Sequence, residues 1–172
     1  FPLTYVIGDV LSEVYGFAAA RRAILLGFAM NILAALAFWV TVYLPAYADY
    51  PNQEHFANVV GSYTGLIVAG LAGFLVGQTI NAWAVVAIKE RTKERHLWAR
   101  LIGSTFAGQF GDTLVFCAIA AAVIGISSFH DFVVYAALGW FYKTAVEVFM
   151  LPVTYRVIAT VKRREPSYQP ML

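Results

Sequence analysis

Ala23-Ile-Leu-Leu-Gly-Phe-Ala-Met-Asn-Ile-Leu-Ala-Ala-Leu-Ala-Phe-Trp-Val-Thr-Val-Tyr43 runs without an Asp, Glu, Lys or Arg. A helix needs about 20 mostly apolar residues to cross the hydrocarbon core of a bilayer, and this run has that length. Four more apolar blocks surround it, residues 1–20, 59–88, 101–127 and 132–161, the last three each long enough to span. The 172 residues are 60% hydrophobic and 13% charged, with a mean hydropathy of +0.69. Soluble domains run at roughly half apolar and a quarter charged, so a soluble fold is excluded. The expectation is an all-α, polytopic transmembrane helical bundle, with residues 1–172 forming a single integral membrane domain.

The blocks are separated by polar stretches at 21–22, 45–58, 89–100 and 128–131, and a tail follows from Lys162. Eleven of the 12 basic residues fall in or beside alternate stretches: Arg21, Arg22, Lys89, Arg91, Lys93, Arg95, Arg100, Arg156, Lys162, Arg163 and Arg164. The intervening loops carry Asp49, Glu54 and Asp131 and no cation. The positive-inside rule therefore places the basic stretches and the C-terminus in the cytoplasm. Five blocks with an inside C-terminus put Phe1 outside. With no initiating Met, the expectation is about six spans in the full-length protein, the first missing here. Gly61, Gly65, Ala69, Gly73 and Gly77 form a small-residue stripe suited to close helix packing. Trp39, Tyr43, Tyr47, Tyr50, Trp98 and Tyr168 read as interfacial rings.

Several chemistries are set aside by composition. The single cysteine, Cys117, cannot form an intrachain disulfide, and His55, His96 and His130 are scattered through loops without metal-ligand spacing. No phosphate-cradling glycine loop and no spaced nucleophile and base are present, so neither an enzyme nor an ATP-driven pump is expected. No metal, no cofactor and no nucleic-acid partner is expected. The partners are the lipid bilayer and a small molecule, with a homo-oligomer left open.

The ionisable residues inside the apolar blocks are Asp9, Glu13, Asp112, Lys143 and Glu147. A charge at membrane depth costs at least about 2.5–3.5 kcal/mol on insertion scales, so these must face one another or a wet cavity. Asp9 and Glu13 share one helix face after Pro2 and Thr4, where the proline permits a break. They either line a cavity or pair with an interfacial cation. Thr105, Gln109 and Asp112 form one stripe, flanked by Ser104 and Thr113 and thinned by Gly103, Gly108 and Gly111. Lys143 and Glu147, beside Trp140, Tyr142 and Thr144, either pair with each other or offer both charges to the cavity. Gln78 and Asn81 add amide donors and acceptors. Four polar stripes describe a midplane pocket for a compact polar solute.

Phe1-Pro-Leu-Thr-Tyr with Asp9, Glu13, Tyr15-Gly16 and Ala20-Arg21-Arg22 resembles the opening of the queuosine precursor transporter family, formerly grouped with vitamin uptake transporters. Gly77-Gln78, the run Ser104-Thr105-Phe-Ala-Gly108-Gln109-Phe-Gly-Asp112-Thr113, and Tyr142-Lys143 with Glu147 and Pro152 resemble its later motifs in the same order. The resemblance implies import of 7-cyano-7-deazaguanine and 7-aminomethyl-7-deazaguanine across a bacterial inner membrane, for salvage into queuosine of tRNA. It implies that Asp112 or Glu147 takes the N1–H and amine edge of a guanine-like base, while Lys143 donates to the carbonyl. Gln109, Gln78 and Asn81 then supply amide bonds, Trp140 or Phe106 stacks on the ring, and Ser104 and Thr105 complete the set. Thr4, Asp9 and Glu13 are expected in coupling or gating, whether transport is proton-linked or facilitated. The alternative is a membrane substrate-binding subunit of an energy-coupling-factor type vitamin importer.

Overall fold

The computed structural model describes residues 2–47, 50–62, 64–92, 96–166 and 168. The sequence readings at Phe1, Asp49, Lys93 and Arg95 lie outside them. The described residues form five helices: α1 (Pro2–Tyr43), α2 (Gln53–Ser62), α3 (Thr64–Thr92), α4 (Leu97–Ala120) and α5 (Phe129–Arg164). Among them α1, α3 and α5 are long and apolar enough to cross a membrane. α4 has the length, with 24 residues, but its polar stripe lowers its hydropathy.

α1 is two helices joined at Gly16, whose φ of 80° and ψ of 176° belong to the left-handed side of backbone space that glycine enters without penalty. Thr4, Ile7, Gly8 and Leu11 share a small cavity with Ala20, Ala23, Ile24 and Gly27, so the chain doubles back and the two halves run antiparallel. This corrects two expectations. The turn between the first two blocks falls at Gly16, while Arg21 and Arg22 are exposed within the second half of the helix. Pro2 opens α1 and does not break it, because a first-turn proline lacks only an N–H that had no partner.

The third block is also divided. Gly61 belongs to α2 and a Cβ there would meet nothing within 4 Å, whereas Gly73 and Gly77 of α3 press on α4. A Cβ on Gly77 would lie 2.9 Å from the Gly108 carbonyl oxygen, and one on Gly108 would lie 2.9 Å from the Gly77 carbonyl oxygen. Two glycines thus face each other at the crossing and let the backbones meet, as small residues do between membrane helices. α5 starts earlier than its apolar block. The Ser128 hydroxyl oxygen accepts the Asp131 backbone N–H at 3.0 Å, which caps the helix and brings residues 129–131 into it. His55 and His130 likewise lie in helices, and only His96 sits at a helix cap.

The surface carries the apolar side chains, including Leu26, Leu33, Leu36, Leu138 and Phe149, and much of the buried interior is polar. That inversion is what a chain solvated by lipid requires. Trp39, Tyr43, Tyr47, Tyr50 and Trp98 are exposed. Tyr168 departs from the set, because its ring lies 4.6 Å from the Lys162 Nζ and 5.1 Å from that of Lys89.

Candidate functional site

Two groups of buried polar residues occupy different levels of the bundle. The first surrounds Glu13, which is fully buried one turn before the Gly16 reversal. Arg100 grips it with two bonds, Nε to Oε2 at 3.1 Å and Nη2 to Oε1 at 2.8 Å. Lys162 donates to Oε1 at 2.7 Å, and Lys89 donates to the Glu13 carbonyl oxygen at 2.5 Å. Tyr15 closes the same end by donating to Glu165 at 2.6 Å. The α1 hairpin, the end of α3, the start of α4 and the end of α5 are thereby tied to one carboxylate. Arg100 and Lys89 therefore turn inward, although the sequence reads them as loop charges. Glu13 has the paired arrangement, away from the cavity.

The second group gathers the sequence-predicted stripes. Asp9 accepts from Asn81 Nδ2 at 2.8 Å, and Glu147 accepts from Gln109 Nε2 at 2.7 Å. Lys143 donates to Asp112, so the alternative in which Lys143 pairs with Glu147 is not adopted. Gln78 is buried behind Gly8, where a Cβ would fall 2.6 Å from its Oε1. Thr105 belongs to this level. Ser104 bonds back to the Leu101 carbonyl of its own helix at 3.0 Å and offers no hydroxyl proton to the group.

Among the described residues, eight buried side-chain atoms have no hydrogen-bond partner: Tyr5 Oη, Gln78 Nε2, Asn81 Oδ1, Thr105 Oγ1, Gln109 Oε1, Thr113 Oγ1, Thr144 Oγ1 and Glu147 Oε1. All belong to this level or to its immediate flanks, and none to the Glu13 cluster. Buried polar atoms are nearly always paired, because each one left bare costs about 1–3 kcal/mol. Such a concentration marks a place built for something else to bind.

A cleft of about 650 Å³ reaches this level. Its polar lining comes from Thr4, Tyr5, Asp112, Thr113 and Lys143, and its rings from Phe74, Phe116, Tyr135 and Tyr142. That volume lies within the usual range for small-molecule pockets. Thr4, read from the sequence as a coupling or gating residue, lies at the cleft wall, and Trp140 and Phe106 do not line it. Their rings pack on each other at 4.3 Å, the Trp140 indole N–H bonds to the Phe106 carbonyl at 3.1 Å, and half of Phe106 is exposed on the apolar surface. The sequence reading missed Tyr5 and the rings of Phe74, Phe116 and Tyr135. Tyr5 carried one available signal, its place one turn before Asp9 on the same helix face.

Helices that cross lipid around an incompletely paired polar layer define the class, a multi-pass helical membrane protein with a small-molecule cleft. The family model described as "Putative vitamin uptake transporter" matches residues 1–157. A "Probable queuosine precursor transporter" of Bacillus subtilis (strain 168) is 31% identical over 163 residues, which cover 92% of this chain and 69% of the relative. This chain belongs to that family, the queuosine precursor transporters, and its family is one of transporters, not of enzymes. Neither description names a partner-dependent binding subunit, so the energy-coupling-factor alternative gains no support. No solved structure matches the chain.

Proposed function

We propose that this chain imports 7-deazaguanine bases, 7-cyano-7-deazaguanine and 7-aminomethyl-7-deazaguanine, for queuosine salvage. It works in a bacterial inner membrane as a secondary transporter or facilitator, with the Glu13 end and the C-terminus in the cytoplasm. The observation that carries the reading is the convergence of unpartnered buried polar atoms beside an aromatic-walled cleft. A guanine-like edge presents an oxygen acceptor next to two N–H donors. The Asp112 and Lys143 side chains at the cleft floor offer the complement, a carboxylate for the donors and an ammonium for the oxygen. Phe74 and Phe116 supply faces on which the ring stacks. Glu147, Gln109, Gln78 and Asn81 form the next polar station beneath, and Asp9 and Thr4 adjoin the path between them.

The test uses cells that neither make queuosine precursors nor import them, expressing the full-length protein and fed nanomolar 7-cyano-7-deazaguanine. Queuosine should return to tRNA with the wild type and not with Asp112→Asn at equal membrane abundance. Absence of queuosine with a folded wild-type protein would overturn the substrate assignment.

A further inference from the structure

We propose that Thr105, Gln109, Thr144 and Glu147 hold a small, hard monovalent cation of the Na+ kind, bound together with the substrate. The inference rests on the import reading above and makes that import cation-coupled. Thr105, Gln109 and Glu147 are 1%, 0% and 3% exposed, and Thr144 is buried with them. Thr105 and Gln109 stand four apart on one face of α4, and Thr144 and Glu147 three apart on one face of α5. The bond from Gln109 Nε2 to Glu147 Oε2 at 2.7 Å brings the two faces together. The Thr105 hydroxyl adjoins the same carboxylate.

Glu147 fixes the direction of what remains unused. Gln109 must turn its NH2 to the carboxylate, since the reverse would set a carbonyl oxygen against a negative charge, and its unpartnered Oε1 can then only accept. Thr144 Oγ1 is also without a partner among the described residues. No cation pairs with Glu147, because Lys143 donates to Asp112. A charge at membrane depth calls for a counter-charge, and one carboxylate among amide and hydroxyl oxygens suits a hard ion of single charge, not a transition metal. A water molecule would satisfy the oxygens and leave the charge, while a proton on Glu147 would cancel the charge and serve at most one further oxygen. None of the four residues lines the cleft of about 650 Å³, so a base seated there leaves them to a smaller occupant. The coupling follows from two cross-links between α4 and α5, Gln109 to Glu147 and, about one turn away, Asp112 to Lys143. An ion that closes the first sets the spacing of the second, where the base is held.

The experiment measures binding of radiolabelled Na+ alone and of 7-cyano-7-deazaguanine to the purified full-length protein. N-methyl-D-glucamine, too large to enter, replaces Na+ at constant ionic strength and pH. Deazaguanine should bind about tenfold tighter in Na+, and by linkage the base should tighten Na+ binding by the same factor. Glu147→Gln removes the charge and Thr105→Val removes one neutral oxygen at nearly constant shape. In each variant that elutes as the wild type does, the gain from Na+ should shrink to about twofold or less. Equal affinity for the base in the two salts, with no saturable Na+ binding, would overturn the proposal. So would a base affinity that follows pH and not Na+, the mark of a proton on Glu147, or a Na+ gain kept in full by both variants. A wild type that binds Na+ and not the base would overturn the import reading and leave the cation site standing, so the two failures are told apart.

Discussion

Glu13 and Glu147 are both buried carboxylates in an apolar chain, and their surroundings are opposite. Glu13 is saturated: a two-pronged arginine, two lysines and four helical segments converge on it, and none of its atoms lacks a partner. Glu147 accepts one amide on one oxygen and has only the neutral Thr105 hydroxyl beside it, with no cation, while the side-chain oxygens of Gln109 and Asn81 are left bare. A saturated buried charge holds a fold together, whereas an unsaturated one is kept because something transient completes it. Both cost free energy to bury, and what differs is whether the protein itself returns it.

The sharpest way to break that contrast is to empty the saturated end. Glu13→Ala would remove the carboxylate that the buried Arg100 and Lys162 share, a loss on the order of 3–5 kcal/mol. Little folded protein should reach the membrane, measured by yield and monodispersity after extraction. The same treatment of the other level should act on transport. Asp112→Asn and Glu147→Gln should each cut uptake more than about tenfold, the cost of a charge-assisted bond, with membrane abundance unchanged.

Gly77→Ala tests the helix crossing that backs the second level. Its Cβ would fall 2.5 Å from the Asp112 Cβ and 2.9 Å from the Gly108 backbone oxygen. Overpacking of that kind costs about 1–3 kcal/mol, so both the unfolding temperature and uptake should fall together. Phe106→Leu sits at the small end of the scale. Half of the ring faces the apolar exterior, outside the cleft, so uptake should stay within about twofold of wild type. A strong transport defect there would return the stacking role to the Phe106 and Trp140 pair.

The parts of the molecule that were legible in the sequence are those written as periodicities. Thr105, Gln109 and Asp112 recur at helical spacing, so their common face was readable before any coordinates, as was the face shared by Lys143 and Glu147. Spacing along one helix does not say which neighbour it meets, and so the partner of Lys143 proved to be Asp112. The Gly16 reversal was hidden because Arg21 and Arg22 carry the charge that marks a loop, while the turn itself is made by a backbone angle. Arg100 and Lys89 were obscured by the positive-inside rule, which counts cations near a membrane face without asking which of them bend inward. Trp140 and Phe106 pack on each other and do not line the cleft, a direction that aromatic type alone does not carry.

The most direct test of the account compares purified Glu147→Gln and Glu13→Gln by thermal unfolding, each with and without 7-cyano-7-deazaguanine. The account predicts that Glu147→Gln keeps the wild-type unfolding temperature without ligand and loses the ligand-induced rise, while Glu13→Gln unfolds at markedly lower temperature. A Glu147→Gln protein that is destabilised without ligand yet still stabilised by it as wild type would contradict the account, because the unsaturated carboxylate would then be holding the fold and not the substrate.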